Sequence, residues 1–230
     1  MSDSTNDLTN DPTHDETYDP ERPGRLLRAE RDALIPLLRA APDDAYGLRT
    51  ACPGWTVRDV LAHCSAALTR VLEQRFEKGV YSPESNERDI AERADWSHSR
   101  VVDELERGMT EAGAVIAEYK GVLDGVALGE WIHAGDVREA WGKPGAYGGA
   151  GLVEALPLLV GMSRRVKSLP LHADVDGLDE PLLLGVGDGT RSPARYIGDG
   201  PTLIRLCAGR PVVGARYELA GAKEGELSVF

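Results

Sequence analysis

The sequence is poor in cysteine, with three in 230 residues, and poor in aromatic side chains at 6 %. Three cysteines without regular spacing cannot make a paired disulfide framework; they fit a reducing compartment, and the expected location is the cytoplasm. No apolar run approaches the roughly 20 residues that span a bilayer, which excludes an integral membrane protein of the helical kind. Met1–Glu21 has neither a basic nor an apolar segment, so no secretory signal is expected there. Basic residues are also in deficit, 26 Lys and Arg against 38 Asp and Glu. A general nucleic-acid binder needs clustered Lys and Arg against phosphate, so that function class is excluded as well.

What is present is unevenly placed. Met1–Glu21 holds seven acidic residues and no basic one, so it carries −7 of the formal −12 and leaves −5 for the rest. This Asp/Thr/Asn-rich arm has too little apolar surface to offset the entropy of ordering and reads as a disordered solvating tail. The 42 % of hydrophobic residues, concentrated beyond it, is ample for a core.

From residue 22 to 145 the apolar spacing is helical. A first helix is expected over Pro23–Ala41, kinked or broken at Pro36 and stopped by Pro42. A second starts at Thr56, with Asp59 three residues on in a capping box, and runs to about Lys78. A short polar helix over Glu84–Ala94 follows, then one from the Ser97 cap to about Lys120, and one from Val126 to Gly142. Four main helices with short connections predict a bundle. From 146 to 230 the character changes to a small α+β unit. It has helices over Leu152–Val166 and Pro201–Gly209, and short strands over Leu169–Val175, Pro181–Val186, Ala194–Gly198, Val212–Leu219 and Glu226–Phe230. Gly185–Thr190 lacks the endings of a phosphate loop and reads as a hairpin turn.

Two histidines stand out because they lie inside bundle helices. Glu130, His133 and Asp136 are spaced by three, about 60° apart around the helix, so neighbours share a face. A Glu and a His one turn apart can bind one metal ion from a bundle helix, with Asp136 completing the site or orienting the imidazole. His63, within the apolar stripe of the second helix, would make a His₂–carboxylate set. Three protein ligands leave an open fourth position, the catalytic pattern for zinc, and the donor types also suit Fe(II), Ni(II) and Mn(II). A hydrogen-bonded core histidine and a surface charge pattern give the same spacing, so residue types alone leave both readings open. His14 and His98 are expected in solvent.

Residues 50–64, with Cys52-Pro53-Gly54-Trp55-Thr56-Val57 and then Asp59, Val60 and His63, resemble the N-terminal signature of the mycothiol-dependent maleylpyruvate isomerase-like family of the DinB-like superfamily. Glu130 to Asp136, followed by Ala140-Trp141-Gly142, is similar to the family's second metal segment. The stretch from Gly200 through Cys207-Ala208-Gly209-Arg210 to Gly221 is similar to its small C-terminal domain. The resemblance implies a DinB-like four-helix bundle, mainly α, with a small α+β C-terminal domain. It implies a divalent metal, usually zinc, held by His63, Glu130 and His133, and mycothiol, the low-molecular-weight thiol of actinobacteria, as cosubstrate. One departure stands out. The family spaces Glu and His four apart; here the interval is three and position 129 is Gly, which raises Asp136 as the alternative carboxylate.

The implied chemistry is addition of a metal-activated thiolate to an electrophilic small molecule. If the adduct is kept, the enzyme is an S-transferase; if addition only permits bond rotation before elimination, it is a cis–trans isomerase. A DinB-like protein that binds a small ligand without catalysis is the third reading, favoured by the changed spacing. Arg138 is a candidate for holding a carboxylate or sugar hydroxyl, or else part of a helix-surface salt bridge. Cys52 is expected to pack a loop, and Cys64 and Cys207 to be small core residues.

Overall fold

The computed structural model describes residues 18–76, 80, 82–187, 189 and 191–230. His14 and most of the acidic arm therefore lie outside the described residues. Helix α1 spans Arg22–Ala40 and is unbroken through Pro36. The predicted local break does not occur: Pro36 faces solvent, as does Asp32, whose carbonyl loses its helical partner. Leu34, Ile35 and Leu38 anchor the same turns in the core. Helix α2 spans Val57–Leu72, and its start is the expected capping box: Thr56 accepts from the Asp59 N–H and the Asp59 carboxylate accepts from the Thr56 N–H. It ends earlier than predicted, where Gln74 takes a left-handed φ of 52°; Lys78 lies outside the described residues. Helices α3 (Pro83–Glu92), α4 (His98–Glu118) and α5 (Asp124–Ala140) follow.

Helices α1 and α2 each pack against both α4 and α5, which closes a four-helix bundle, while α3 lies against α2. Leu27, Leu34, Leu61, Leu68, Leu105, Met109 and Ile116 fill its centre. The α1–α4 crossing depends on two glycines: a Cβ on Gly113 would lie 2.5 Å from the Gly24 Cα.

Helix α6 (Leu152–Arg165), helix α7 (Gly200–Cys207) and a four-stranded sheet form a second apolar core. Its strands are β1 (Leu171–Val175), β2 (Leu182–Leu184), β3 (Ala194–Gly198) and β4 (Tyr217–Ala220). The order is β2-β1-β3-β4, with β1 and β3 parallel and both outer pairs antiparallel. Leu171, Ala173 and Val175 point inward while His172 faces solvent, the period-two pattern of a half-buried strand. Two expectations fail. No hairpin joins β2 to β3 across the Gly185–Thr190 stretch, of which Asp188 and Thr190 lie outside the described residues, because β2 and β3 flank β1 instead of pairing with each other. The last predicted strand is absent; a 3₁₀ turn at Glu224–Glu226 leads into a tail tied down by the Val229 N–H on the Cys207 carbonyl. His98 also departs from expectation: its ring stacks on Tyr46, with centroids 4.0 Å apart.

Trp131 of α5 is fully buried and belongs to this second core, with Leu26 and Leu128. No helix of the described residues is long and apolar enough to cross a membrane. The Arg138 guanidinium is sealed between α5 and α1, where it pairs with Glu30 and donates to the Ala146 carbonyl at 2.8 Å. Removing one partner of such a pair leaves an uncompensated buried charge, worth about 3–5 kcal/mol. Glu30→Ala should lower unfolding stability by that amount in urea denaturation; a loss within error of an exposed substitution would show that the pair holds nothing together.

Candidate functional site

The polar residues of the bundle centre gather on one seam between α2, α5 and the loop before α2. His133 and His63 face each other edge to face, with ring centroids 5.3 Å apart, and Trp55 lies 5.1 Å from His63 and 6.2 Å from His133. The Trp55 indole N–H donates to Glu87 of α3 at 3.0 Å, which fixes the ring over the histidines.

Asp136 is the hub. Fully buried, its carboxylate accepts from the Tyr147 hydroxyl at 2.6 Å and from Arg210 twice at 2.8 Å. The same carboxylate lies 3.0 Å from the Cys52 Sγ and 3.1 Å from the His133 Nδ1. Cys52 Sγ is also 3.5 Å from His133 Nδ1 and 3.0 Å from Arg210 Nη2. Gly135 makes the Tyr147 contact possible, since a Cβ there would lie 2.5 Å from the ring. Arg210 comes from the segment just after α7, so the C-terminal unit completes the site.

The sequence-predicted residues thus divide. His63, His133 and Asp136 come together. Glu130 is buried one turn away, its carboxyl interacting with the Cys64 thiol and its Oε2 without a hydrogen-bond partner. Arg138 points away to Glu30. Two contributors escaped the sequence reading. Cys52 looked like a loop-packing residue, and its only signal was the adjoining motif. Arg210 lies 74 residues from Asp136, and its only signal was its place in the Cys207–Arg210 stretch of the C-terminal resemblance.

Burial and charge set the protonation states. Burial pushes the Asp136 carboxyl up, but hydrogen bonds from His133 and Arg210 outweigh it and hold the group well below the usual carboxylate range. Burial lowers His63 to about 3, helped by His133 and Arg70, so its imidazole is neutral. Glu130 is raised to about 8, and Cys52 to about 12, in both cases chiefly by burial.

Whether these residues suit a divalent metal can be judged from the donors. Among the described residues, Cys52, His133 and Asp136 form a set whose ligand atoms all lie within 4.8 Å of one another. His63 Nδ1 and Glu130 Oε2 are buried polar atoms with no hydrogen-bond partner. Imidazole, carboxylate and thiol are ordinary ligands of such an ion, and an apolar bundle that gathers them fits it.

A carboxyl group whose folded pKa is depressed adds stability above its unfolded value near ~3.9, and that stability is lost as pH falls toward the folded value. Asp136→Asn should therefore cost roughly 3–5 kcal/mol at pH 7, where Arg210 loses its counter-charge. In urea melts the gap to the unaltered protein should shrink as pH drops below about 4. A gap independent of pH would show that the charge of Asp136 is not what matters.

The comparisons agree with this architecture. No curated protein matches the chain in sequence. Two crystal structures of the mycothiol-dependent maleylpyruvate isomerase share the fold, one of them a histidine-to-alanine mutant. The mutant superposes with a TM-score of 0.55 at 15 % identity and the other with 0.53 at 16 %, each covering 90 % of this chain and 95 % of that one. The family described as the mycothiol maleylpyruvate isomerase N-terminal domain matches residues 27–141, half of the chain and the part that carries Cys52, His63, Glu130, His133 and Asp136. The chain belongs to the mycothiol maleylpyruvate isomerase N-terminal domain family.

Proposed function

We propose that the protein is a metal- and mycothiol-dependent enzyme that adds the thiolate of mycothiol to an electrophilic small molecule and keeps the adduct, an S-transferase. The observation that carries this reading is the overlap of the family match with the polar seam. The family-matched segment contains the histidines and the buried carboxylates that gather in an otherwise apolar bundle.

The residues that would hold the metal are His133, His63 and a carboxylate, Glu130 or Asp136. A bound divalent cation lowers the pKa of a thiol, ordinarily about 8.5, and so supplies a thiolate near neutral pH. The protein's own part is positional. Asp136, clamped by Arg210 and Tyr147, fixes the orientation of the His133 ring. Burial keeps His63 neutral and available as a donor. Trp55 narrows the approach to the two histidines and excludes water from their faces. Arg210 spends its donors on Asp136, Cys52 and the Ala208 carbonyl, which makes it a support of the site and not a free anion clamp.

A second reading, cis–trans isomerisation, shares the addition step and differs only in eliminating the thiolate after bond rotation. It is favoured by the structural neighbours, which are described as maleylpyruvate isomerases.

Isothermal titration of mycothiol into the zinc-loaded protein is the direct test. Saturable heat is expected, abolished by a chelator and by His133→Ala, a variant that should also lose bound zinc by elemental analysis. Heat that survives the chelator unchanged would leave a ligand-binding protein without metal-dependent chemistry. Incubating the loaded protein with mycothiol and maleylpyruvate, followed by NMR, then separates retained adduct from isomerised product.

A further inference from the structure

His133 has two carboxylates on its own helix, Glu130 three residues before it and Asp136 three residues after it. Asp136 lies against the ring, 3.1 Å from Nδ1, while Glu130 interacts with the Cys64 thiol. Among the described residues, no set containing His63 or Glu130 brings three donor atoms within 4.8 Å of each other; Cys52, His133 and Asp136 do.

We propose that Cys52 is a metal ligand, and that the cation binds to Cys52 Sγ, His133 Nδ1 and an Asp136 carboxylate oxygen. It puts Cys52 in place of His63 and Asp136 in place of Glu130 among the ligands, and rests on the preceding reading only in requiring that the site take up a divalent metal.

The geometry supports it. The three atoms are separated by 3.0, 3.1 and 3.5 Å. With metal–sulfur bonds near ~2.3 Å and metal–nitrogen or –oxygen bonds near ~2.0–2.2 Å, the edges of a tetrahedral centre come to roughly 3.3–3.7 Å. Little movement is needed to reach those values. Binding of one M²⁺ displaces the Cys52 thiol proton to solvent and takes the His133 tautomer that carries its proton on Nε2, so that Nδ1 offers a lone pair. Asp136 stays ionised throughout. Cation, thiolate and carboxylate then sum to zero charge, and Arg210 beside Sγ and Oδ2 stabilises the two anions. Oδ1 keeps its bonds to Tyr147 and Arg210, the outer support that metal-bound groups usually have. Three protein ligands leave one position for an incoming thiol.

Cobalt(II) reports the difference directly, since a thiolate ligand adds an intense near-ultraviolet charge-transfer absorption to the weak ligand-field bands of the ion. The chain has three cysteines, so the Cys64→Ser/Cys207→Ser double variant leaves Cys52 as its sole thiol. The unaltered protein and this double variant should both show the charge-transfer band at one cobalt per chain. Cys52→Ser should lose it and bind the ion more weakly, with circular dichroism confirming its fold. Cobalt uptake with ligand-field bands alone in the unaltered protein would overturn the Cys52 assignment and leave the metal-dependent reading standing. A band kept by Cys52→Ser, or missing from a folded, cobalt-loaded double variant, would overturn it equally. A folded protein that takes up no cobalt or zinc would overturn both.

Discussion

A buried carboxylate cannot stand alone, and the demands of Asp136 organise the molecule around it. An isolated charge in an apolar bundle would protonate or unfold its surroundings. Asp136 stays ionised because it collects donors from four places in the chain: the loop before α2, its own helix, the Tyr147 turn and the segment after α7. Each of these segments is thereby fixed relative to His133. The C-terminal unit is joined to the bundle by the same interaction, since Arg210 brings the charge that offsets Asp136. Nearby, Arg205 of α7 pairs with Glu139 of α5 at 2.6 Å and lies over the Tyr147 ring, so the join is reinforced by a second cation.

This arrangement explains why α5 is the least amphipathic of the bundle helices. Its residues face three environments: the bundle core through Ala127, Ala134 and Val137, the second core through Leu128, Trp131 and Ile132, and the polar seam through Glu130, His133 and Asp136. A helix buried on nearly all sides has no solvent face on which to put charge, so its charged residues are bound to be partnered or functional. Arg138 is partnered by Glu30, and Asp136 by Arg210. Glu130, with one oxygen unpartnered, is the exception.

Much of the fold was legible because it rests on local signals. The capping box at Thr56, the Ser97 cap and the apolar spacing of α1, α2 and α4 are statements about neighbours in sequence, and the structure keeps them. The failures involve contacts between distant segments. Whether Pro36 breaks a helix depends on which face it occupies, and whether 185–190 is a hairpin depends on a strand placed between β2 and β3. The pairing of His63 with His133 could be anticipated, because both sit within helical patterns that a bundle brings together. Cys52 and Arg210 could not, since one lies in an irregular loop and the other follows a short helix, and neither position carries a periodicity that would aim its side chain.

Helix geometry separates the two carboxylates of α5. Glu130 and Asp136 each stand three residues from His133, on opposite sides of it around the helix, and Glu130 is turned toward Cys64. At position 129 a Cβ would meet only the Phe230 ring, at 4.0 Å. Asp136, one turn on the other side of His133, is already ionised, already oriented and already beside a thiol. The carboxylate that orients the His133 ring is thus the one to which Arg210 and Tyr147 bring their donors, although Glu130 and Asp136 lie equally near in sequence.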